Sequence, residues 1–407
     1  MARCGRSRRR RPCARCPCGR RSDGSAGRTS GRSEAVAGMT SVPNLAIPRR
    51  AVMASSPVMT TAPPTPGYAI EAFELAMLSD RDIRQIAELR NALGGERFPE
   101  DPPTPTEVAV DRLRARPKMI EFTDWLARAA DGQIVGTAAL IRIVAETNQH
   151  YRETEIGVLP GHRRRGLARR FLREMVDAVP AGAVKLQFST NGRIPAGEAF
   201  TKAVGASEVL RARFSQLAVG EVDRAMTADW AKLDPPGYRL AWVDTDVTDE
   251  LMAHVVTAYE AMNTAPRGAS AMEDWHITAA EVREFDRARR ATGRERRLVL
   301  AIHDATGETA GYTEVVYDPR VPHVIQQQGT AVIPAHRGRG IGKWVKAAML
   351  ERVLGEWPDA RYIRTGNASV NAPMLAINTR LGFRHAWDGA LWEASVADLR
   401  AYLERRA

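Results

Sequence analysis

Apolar and polar positions alternate most clearly in the second half of the chain. Three segments there have the two-residue alternation of β-strands: 297–303, 309–317 and 324–333. The tetrapeptide Asp304-Ala305-Thr306-Gly307 predicts a turn between the first two. From Gly340 to Leu354 the spacing becomes helical, with apolar residues at Ile341, Val345, Ala348 and Met349. This pattern predicts three consecutive strands followed by a helix.

The same mixture continues to the end of the chain. We predict a short strand at 362–364, a helix at 371–381 and one or two strands at 383–392. Two further helices are predicted at 221–232 and 396–405. Strands and helices in this order predict an α/β (α+β) fold, with a central mixed sheet flanked by helices.

A tripeptide marks an internal repeat. Pro66-Gly67-Tyr68 recurs 170 residues later as Pro236-Gly237-Tyr238, and each copy precedes a short strand-like run and a helical pattern. A period of this length indicates a duplicated domain rather than a solenoid. We therefore predict two tandem domains, 67–235 and 236–407, joined at Pro235-Pro236-Gly237.

Charge separates the first residues from the rest. The chain of 407 residues has a net charge of +11, and residues 1–50, with thirteen arginines, Asp23 and Glu34, account for all of it. The remainder is neutral, so no nucleic-acid partner is expected for the folded part. We predict that 1–66 is a disordered Arg/Pro-rich tail. It is interpreted as a start codon assigned too far upstream (alternatives Met39, Met53 and Met59), as a transit peptide, or as a nucleic-acid-binding tail.

Cysteine usage excludes several chemistries. All four cysteines lie in the tail, where Cys13-x-x-Cys16 has the spacing of half a zinc site without a second pair nearby. The remaining residues therefore have no disulfide framework, thiolate metal site or cysteine nucleophile, and we expect no metal. No apolar run is long enough for a membrane span. We expect a cytoplasmic protein without a membrane partner.

The strongest chemical signal occurs twice. Residues 157–168 (Gly-Val-Leu-Pro-Gly-His-Arg-Arg-Arg-Gly-Leu-Ala) align with 331–342 (Ala-Val-Ile-Pro-Ala-His-Arg-Gly-Arg-Gly-Ile-Gly), 174 residues later. In both segments a strand ends at a proline, a basic loop follows and a helix begins. The first turn of a helix has unpaired N–H donors, so it accepts an anion, and glycine allows close backbone approach. The pattern therefore favours a pyrophosphate site.

Two familiar phosphate motifs do not match. A P-loop requires glycine where Arg337 stands and Ser or Thr where Trp344 stands, and the dinucleotide fingerprint requires glycine at Lys343. A purely structural interpretation, with solvated basic residues and glycines that only shape a turn, stays open for either copy. Two copies in register favour binding.

The motif R-x-x-G-x-G/A after a strand resembles the coenzyme A signature of the GNAT superfamily of N-acetyltransferases, and the duplication resembles the tandem GNAT proteins of actinobacteria. Asn371 to Phe383 is similar to the family's N-x-x-A-x-x-x-Y-x-x-x-G-F segment. The resemblance implies acetyl-CoA as co-substrate. The implied binding residues are Val332, Ile333, Arg337, Gly338, Arg339, Gly340, Ile341, Gly342, Lys343, Asn371, Arg163, Gly166 and Ala168.

The chain departs from the family at two places. The family's tyrosine, often the acid that protonates the leaving thiolate, is Asn378. In the first copy Thr201 stands at the tyrosine position and Ile194 at the asparagine position. We therefore interpret 67–235 as a degenerate, weakly binding or structural domain, and 236–407 as the catalytic one.

Candidate catalytic groups lie on the strands before the loop. Glu314 is the candidate base, with His323 as an alternative, while Gln326-Gln327-Gln328 replaces the glutamate that some family members use. Tyr312 lies on the same strand face as Glu314. Asn378 is a candidate hydrogen-bond donor to the sulfur, and the backbone N–H near Val332 is the oxyanion donor that the resemblance implies. Glu314 as a solvated residue and Tyr312 as a packing residue are the alternatives.

Acids and aromatic residues at 259–267 and 273–276 predict an acceptor pocket, although such residues also occur in ordinary loops. His162 and His336 are expected to pack or to bond backbone groups rather than to catalyse. The resulting prediction is an acyltransferase that moves an acetyl group from acetyl-CoA directly to an amine of a small molecule or peptide. The alternative is a non-catalytic acyl-CoA-binding protein. The oligomeric state stays open.

Overall fold

A computed structural model of the chain describes residues 67–179 and 184–406, which form a twelve-stranded mixed sheet covered by helices. The predicted mixed α/β class is confirmed. The tail and its cysteines lie outside the described residues. Below, residues 67–235 are called repeat one and residues 236–407 repeat two. Among the described helices, none combines the length and apolar composition that a bilayer span requires.

The described residues of repeat one contain six strands and five α-helices. The strands are Tyr68–Phe73 (β1), Ile120–Ala129 (β2), Ile134–Ile143 (β3), Tyr151–Val158 (β4), Lys185–Asn191 (β5) and Ser207–Ala218 (β6). The helices are Asp80–Arg97 (α1), Thr106–Arg114 (α2), Leu167–Ala178 (α3), Pro195–Ala203 (α4) and Arg224–Ala231 (α5).

Repeat two has the same order of elements. The strands are Tyr238–Val243 (β7), Glu295–His303 (β8), Thr309–Tyr317 (β9), Val324–Val332 (β10), Tyr362–Ala368 (β11) and Arg384–Ser395 (β12). The helices are Asp249–Glu260 (α6), Ala279–Ala291 (α7), Ile341–Glu356 (α8), Ala372–Arg380 (α9) and Val396–Glu404 (α10). The predicted strand at 309–317 has the observed bounds, whereas the one at 362–364 extends to Ala368.

The two repeats exchange their last strands. The strand order is β1-β2-β3-β4-β5-β12-β6-β11-β10-β9-β8-β7. Thus β6 of repeat one pairs with β11 of repeat two, β12 of repeat two pairs with β5 of repeat one, and β6 and β12 pair with each other. The centre of the sheet is therefore built from strands of both repeats, which follow each other in the chain at 235–236.

Strand β8 divides its side chains between two cores. Val299 and Ala301 of β8 pack in the core that contains α8, while Leu298 and Leu300 pack with α6 and α7. This alternation follows from the two-residue period of a strand, which sends successive side chains to opposite faces. The sheet therefore lies between two layers of helices in this part of the molecule.

One pair of parallel strands in each repeat separates shortly after it forms. In repeat one, β4 and β5 pair only over Tyr151–Thr154 and Lys185–Phe188. In repeat two, β10 and β11 pair only over 324–326 and 362–364. Beyond these residues the strands have no mutual hydrogen bonds, so each repeat has a cleft between its fourth and fifth strands.

The strand exchange predicts that neither half folds alone. Residues 67–235 expressed without 236–407 lose both strand partners of β6 and, at β5, the partner β12, so that β5 pairs only with β4. Unpaired strand edges favour aggregation. We expect each fragment to lack a cooperative thermal transition, and co-expressed fragments to form a one-to-one complex with one. Circular dichroism and size-exclusion chromatography measure this, and a cooperative melt of either isolated fragment would contradict the prediction.

Candidate active site

The two loops that join strand to helix have the same backbone conformation. Arg163 in repeat one has φ −70° and ψ 165°, and Arg337 in repeat two has φ −66° and ψ 161°. The glycines that begin the helices are left-handed in both: Gly166 has φ 81° and ψ −4°, and Gly340 has φ 82° and ψ −4°. A left-handed residue among extended ones turns successive N–H groups toward one side, which forms an anion-binding concavity.

A second left-handed residue lies inside each loop. Gly338 has φ 79° in repeat two, and Arg164 has φ 62° at the matching position of repeat one. A residue with a β-carbon loses about 1–2 kcal/mol in this conformation, whereas glycine does not. Repeat one therefore keeps the loop shape despite an unfavourable residue.

The first arginine of each loop holds the loop against its own strand. Arg163 Nε donates to the Val158 carbonyl at 2.9 Å, and Arg337 Nε donates to the Val332 carbonyl at 3.0 Å. The matching bond in both repeats fixes the position of the loop relative to the end of the strand. Arg163 and Arg337, both proposed to contact the pyrophosphate, are thus seen here in a positioning role.

The rest of each guanidinium is also engaged. Arg163 Nη1 donates to Glu96 Oε1 at 2.7 Å, and Arg337 Nη2 donates to Thr264 Oγ1 at 2.9 Å. Two further positive charges at the repeat-two loop come from Arg339 and Lys343, both exposed, and Lys343 Nζ lies 5.4 Å from the centre of the Trp230 ring.

A tyrosine from the first strand of each repeat completes the bracing. Tyr68 Oη lies 3.0 Å from His162 Nδ1, and Tyr238 Oη lies 2.9 Å from His336 Nδ1. The structure places both histidines beneath their loops, bonded to a neighbouring side chain. The expectation that they pack rather than catalyse agrees with this position.

The helices that follow the loops begin without side-chain partners. Neither α3 nor α8, all of whose residues are described, has a side-chain N-cap or an acidic residue in its first turn. Their first side chains, Leu167 and Ile341, are 2% and 1% exposed and anchor the helix starts in the core. The N–H groups of the first turn are therefore held in place beside the loop, where an anion can accept from them.

A cavity of 1480 Å³ extends through the clefts of both repeats. In repeat one it reaches the loop itself, at Arg163, Arg164, Gly166 and Ala168. In repeat two it is lined by 326–330, Lys346, Gly366, Asn367 and Asn371. Of the three residues predicted to catalyse, none lines this cavity: Glu314, Tyr312 and Asn378 lie outside it.

Glu314 belongs to a cluster of charged residues under α6 and α7. Its Oε1 accepts from Tyr259 Oη at 3.1 Å and lies 3.8 Å from Arg296 Nε. Arg296 in turn pairs with Asp286 at 2.9 Å. Burial raises the pKa of Glu314, and Arg296 opposes that shift. The side chain is only 13% exposed, so the solvated alternative is wrong, and its role as a base stays a prediction.

Tyr312 packs on the same face, as expected from the strand period. It is 2% exposed, and its ring meets Tyr259 edge to face at 5.7 Å. Its hydroxyl lies behind Gly329, where β10 has one extra residue relative to β9. A β-carbon at Gly329 would lie 2.0 Å from Tyr312 Oη. The bulge and the tyrosine therefore depend on each other.

Asn378 of α9 and Asn371, the residue that precedes this helix, have different surroundings. Asn378 is 2% exposed, its Nδ2 donates to Asn367 Oδ1 at 2.7 Å, and its own Oδ1 has no partner within the described chain. Asn371 caps the helix by accepting from the Met374 N–H at 3.3 Å, and it lines the cavity. Asn371 is thus near the expected position, and Asn378 lies behind the cleft.

The predicted acceptor segments of repeat two form one docked loop. Asn263 exchanges hydrogen bonds with the backbone of Trp275, and Arg267 pairs with Asp274, so the segments 259–267 and 273–276 are held together. Glu273 then accepts from the Asn148 N–H of repeat one at 2.9 Å. From these segments only Met262 and Ala265 line the cavity.

Repeat one sends the corresponding loop toward repeat two. Asp101 receives two hydrogen bonds from the guanidinium of Arg364, at 2.5 and 2.6 Å, and lies 3.4 Å from Nε2 of the buried His323. Each cleft is therefore bordered by a loop of the other repeat. His323 is held by this carboxylate, which the sequence pattern did not predict.

Lys346 is a buried amine that the sequence analysis missed. It is 3% exposed on α8, lines the cavity, and its Nζ donates to Gln327 Oε1 at 3.1 Å. Burial lowers its pKa to about 7. Its matching residue in repeat one is Leu172, which is fully buried. In the sequence, a lysine on the apolar face of the predicted helix could have indicated this buried amine.

Glu153 is a second missed residue. It is half-buried on β4, lines the cavity, and burial raises its pKa to about 7. In the parallel pairing of β4 with β5, Glu153 is the third paired residue and lies opposite Gln187. The third paired residue of β10 in repeat two is Gln326, which lies opposite Arg364. The carboxylate absent from the repeat-two strand is thus present in repeat one.

Comparison with known proteins identifies the family. The chain matches the Acetyltransferase (GNAT) family over residues 86–204 and again over 256–383, together more than half of its length. The chain belongs to the GNAT family. Each matched segment contains one of the two strand–loop–helix junctions. The internal repeat seen in the loops is therefore a repeat of the whole family domain.

Similar GNAT proteins include two curated acetyltransferases. The chain is 31% identical over 145 residues to the N-alpha-acetyltransferase RimI of Mycobacterium tuberculosis, covering 35% of this chain and 85% of that protein. It is 30% identical over 241 residues to the mycothiol acetyltransferase of Clavibacter sepedonicus, covering 58% and 70%. A tandem GNAT protein from the clavulanic acid biosynthesis pathway superposes with a TM-score of 0.67 at 27% identity, covering 81% and 98%. The tandem GNAT architecture is therefore confirmed.

The contact between Gly329 and Tyr312 gives a stability prediction. We expect Gly329→Ala to lower the free energy of unfolding by about 1–3 kcal/mol, because the new methyl group would overlap the hydroxyl of the buried Tyr312, which must shift to make room. Urea denaturation followed by tryptophan fluorescence measures the change. Gly355→Ala on α8, with nothing within 4 Å of its added carbon, is the matched control and should be neutral or stabilising. Equal effects of the two substitutions would contradict the packing argument.

Lys346 predicts a pH-dependent stability. Its only polar contact among the described residues is uncharged Gln327, and the nearest ring is Phe383 at 5.4 Å, so burial alone lowers the pKa to about 7 from 10.5. Between these values the unfolded state binds more protons than the folded state, so wild-type stability rises with pH; below about 7 the cost of the buried charge is complete. Lys346→Leu should therefore raise the free energy of unfolding at both pH 6 and pH 9. The increase should be smaller at pH 9 than at pH 6, by about 2–3 kcal/mol.

Urea denaturation at the two pH values measures this difference. Lys343→Leu, an exposed lysine one turn earlier on the same helix, is the control and should show no comparable pH dependence. A constant gain for Lys346→Leu across the range would show that Nζ stays charged in the folded protein.

Proposed function

We propose that this GNAT protein transfers an acetyl group from acetyl-CoA directly to an amine of a small molecule or a peptide, inside the cell. The observation that supports this proposal is the pair of loops with one backbone conformation, each at the start of an uncapped helix and each beside a cleft between separated strands. Such a loop suits the diphosphate of the donor, and the cleft suits the extended arm that carries the thioester.

The donor would be held mostly by backbone groups. We propose that the N–H groups of Gly338 to Gly342 bind the diphosphate, with Arg339 and Lys343 adding charge, and that Gly166 and Ala168 act similarly in repeat one. Because one charge at a helix end contributes about 0.3–1 kcal/mol, several donors must converge for tight binding. Val332 and Asn371 border the arm in this arrangement, and the Val332 N–H is the proposed oxyanion donor.

Direct transfer sets unequal demands on the protein. The amine nitrogen bonds to the thioester carbon, the carbon–sulfur bond breaks, and the amine proton ends on solvent or a base. Deprotonating an alkyl amine of pKa near 10.4 at pH 7 costs about 4–5 kcal/mol, whereas releasing a thiolate of pKa near 8.5 costs about 2 kcal/mol. The missing tyrosine acid at Asn378 is therefore a smaller loss than a missing base.

Repeat two is our first candidate for the catalyst. It has the complete glycine pattern in its loop and the helix-capping Asn371 beside the cavity. Its candidate bases, Glu314 and His323, are both already bonded to neighbouring charged or polar groups. In this arrangement repeat one binds the donor weakly or acts structurally.

Repeat one is the second candidate, because Glu153 faces the cavity with its pKa raised to about 7. A carboxylate with that pKa accepts a proton near neutral pH, so it suits a general base. The cavity also reaches the loop of repeat one. Two other features weigh against catalysis there, because that loop carries Arg164 in a left-handed conformation and Ile194 replaces the capping asparagine.

The decisive experiment is thiol release from acetyl-CoA across a panel of amines that carry no thiol: amino sugars, polyamines, aminoglycosides and short peptides. We expect turnover with at least one acceptor. A non-catalytic acyl-CoA-binding protein, which the loss of the tyrosine at Asn378 favours, would bind acetyl-CoA in calorimetry and release thiol with none of them.

Matched variants assign the repeat. Arg339→Glu and Arg165→Glu reverse the exposed charge at the same position of the two loops, so the catalytic repeat should show a KM for acetyl-CoA about 3- to 30-fold higher. Glu153→Gln should lower kcat about 100-fold or more if repeat one catalyses, and leave it unchanged if repeat two does. An unchanged KM in both loop variants would show that neither loop binds the donor.

A further inference from the structure

Lys346 lies where packing would favour an apolar residue. It is the sixth residue of α8, and Leu172 is the sixth residue of α3. Both side chains are buried, at 3% and 0% exposure. Repeat two therefore has an amine at a position where repeat one has a methyl group, and its neighbours on α8, Val345 and Met349, are core residues.

The amine has no counter-ion among the described residues. No carboxylate there lies within ion-pair distance of Nζ, whose one hydrogen bond is to Gln327 Oε1 at 3.1 Å. The amide group of Gln327 is held in turn, because its Nε2 donates to the Glu314 carbonyl at 2.7 Å and to Thr313 Oγ1 at 3.0 Å. The orientation of Gln327 thus presents an acceptor to Lys346. A buried charge without a partner is costly, so the neutral amine is favoured.

The amine lies at the point where the strands separate. The last paired residue of β10 is Gln326, opposite Arg364 on β11, and Gln327 is the next residue. Lys346 and 326–330 line the same cavity, together with Gly366 and Asn367 on the other side of the cleft. A molecule that enters between the strands would therefore have the Lys346 nitrogen at the closed end of its path.

These observations point to a modification site, and the inference rests on the proposed binding of acetyl-CoA in the cleft of repeat two. We propose that Lys346 is self-acetylated by acetyl-CoA bound in the cleft of its own chain. The Nζ lone pair attacks the thioester carbon, the carbon–sulfur bond breaks, and an amide forms on Lys346. The proton lost by Nζ leaves with the coenzyme A thiol, so no other reactant is required.

The product has a defined consequence in the cleft. The amide keeps one N–H, which still donates to Gln327 Oε1, but it can no longer accept a proton. The added acetyl group occupies space beside Gln327 that the donor's own acetyl group would use. Acetylated protein should therefore bind acetyl-CoA more weakly than unmodified protein, which makes the modification an internal limit on activity.

The test compares Lys346 with the other lysines of the chain. There are five others: Lys118, Lys185, Lys202, Lys232 and Lys343. Full-length protein, first treated with a deacetylase, is incubated with acetyl-CoA, and intact and peptide mass spectrometry follow the gain of acetyl groups with time. We expect a single acetyl group, at Lys346, at a rate at least tenfold above that of any exposed lysine.

Two variants and one condition serve as controls. Lys346→Leu, the residue that repeat one carries at this position, should abolish the single modification while keeping the fold. Arg339→Glu should slow it, because the donor binds less well. Urea-unfolded protein should lose the preference for Lys346. Equal labelling of Lys346 and the exposed lysines in folded protein would overturn the proposal.

Calorimetry with acetyl-CoA separates this inference from the proposed function. Binding that Arg339→Glu weakens, without acetylation of Lys346, would overturn self-acetylation and leave the proposed function standing. Absence of binding to the cleft of repeat two alone would overturn self-acetylation and assign the proposed function to repeat one. Absence of binding to either cleft would overturn both.

Discussion

Pairing between β6 and β12 at the centre of the sheet is the interaction on which the remaining architecture depends. These strands are the last of their repeats, and each also pairs with the fifth strand of the other repeat. The fifth strand forms one wall of each cleft. A wall of one repeat's cleft is therefore fixed by the other repeat, and the two sites cannot be understood as separate domains connected by a linker.

The same dependence extends from the strands to the loops. Asp101 of repeat one holds Arg364 of repeat two, while the repeat-two loop that contains Ala271 and Glu273 is hydrogen-bonded to His150 and Asn148 of repeat one. Ser270 Oγ donates to Glu393 Oε1 at 2.7 Å on the exchanged strand β12. Because the last strands are exchanged, the Asp101 loop of repeat one borders the cleft of repeat two, and the Glu273 loop of repeat two borders the cleft of repeat one. An acceptor entering either cleft would therefore contact both halves of the chain.

Local features could be predicted from the sequence because they have local causes. The strand at 309–317 and the loop at Arg337 to Gly342 follow from alternation, glycine and helix-start chemistry within short segments. The strand exchange could not be predicted, because alternation in β6 and β12 specifies which faces are buried and not which strand lies beside them. For the same reason Glu314 was expected near the donor, whereas Tyr259 and Arg296, distant in sequence, hold it beneath the helices.

Duplication also explains which features the two clefts share and which they do not. The parts that fix backbone shape are kept in both: the left-handed glycine before the helix, the arginine bonded to the strand carbonyl and the histidine bonded to tyrosine. The ionisable groups inside the clefts are not kept. Repeat one has an acid, Glu153, and an apolar Leu172, while repeat two has the amide Gln326 and the base Lys346.

An acid and a base have opposite consequences for an amine that enters a cleft. Near neutral pH a carboxylate attracts a protonated amine and can take its proton, whereas a buried neutral lysine provides no charge to hold the cation and, in the reaction proposed above, itself competes for the acyl group. Glu153 and Lys346 line one cavity but belong to different repeats. The two clefts therefore have the same backbone framework and different ionisable groups. Divergence after duplication has therefore acted on side chains that the fold does not require, which is where two copies of one site can acquire different roles.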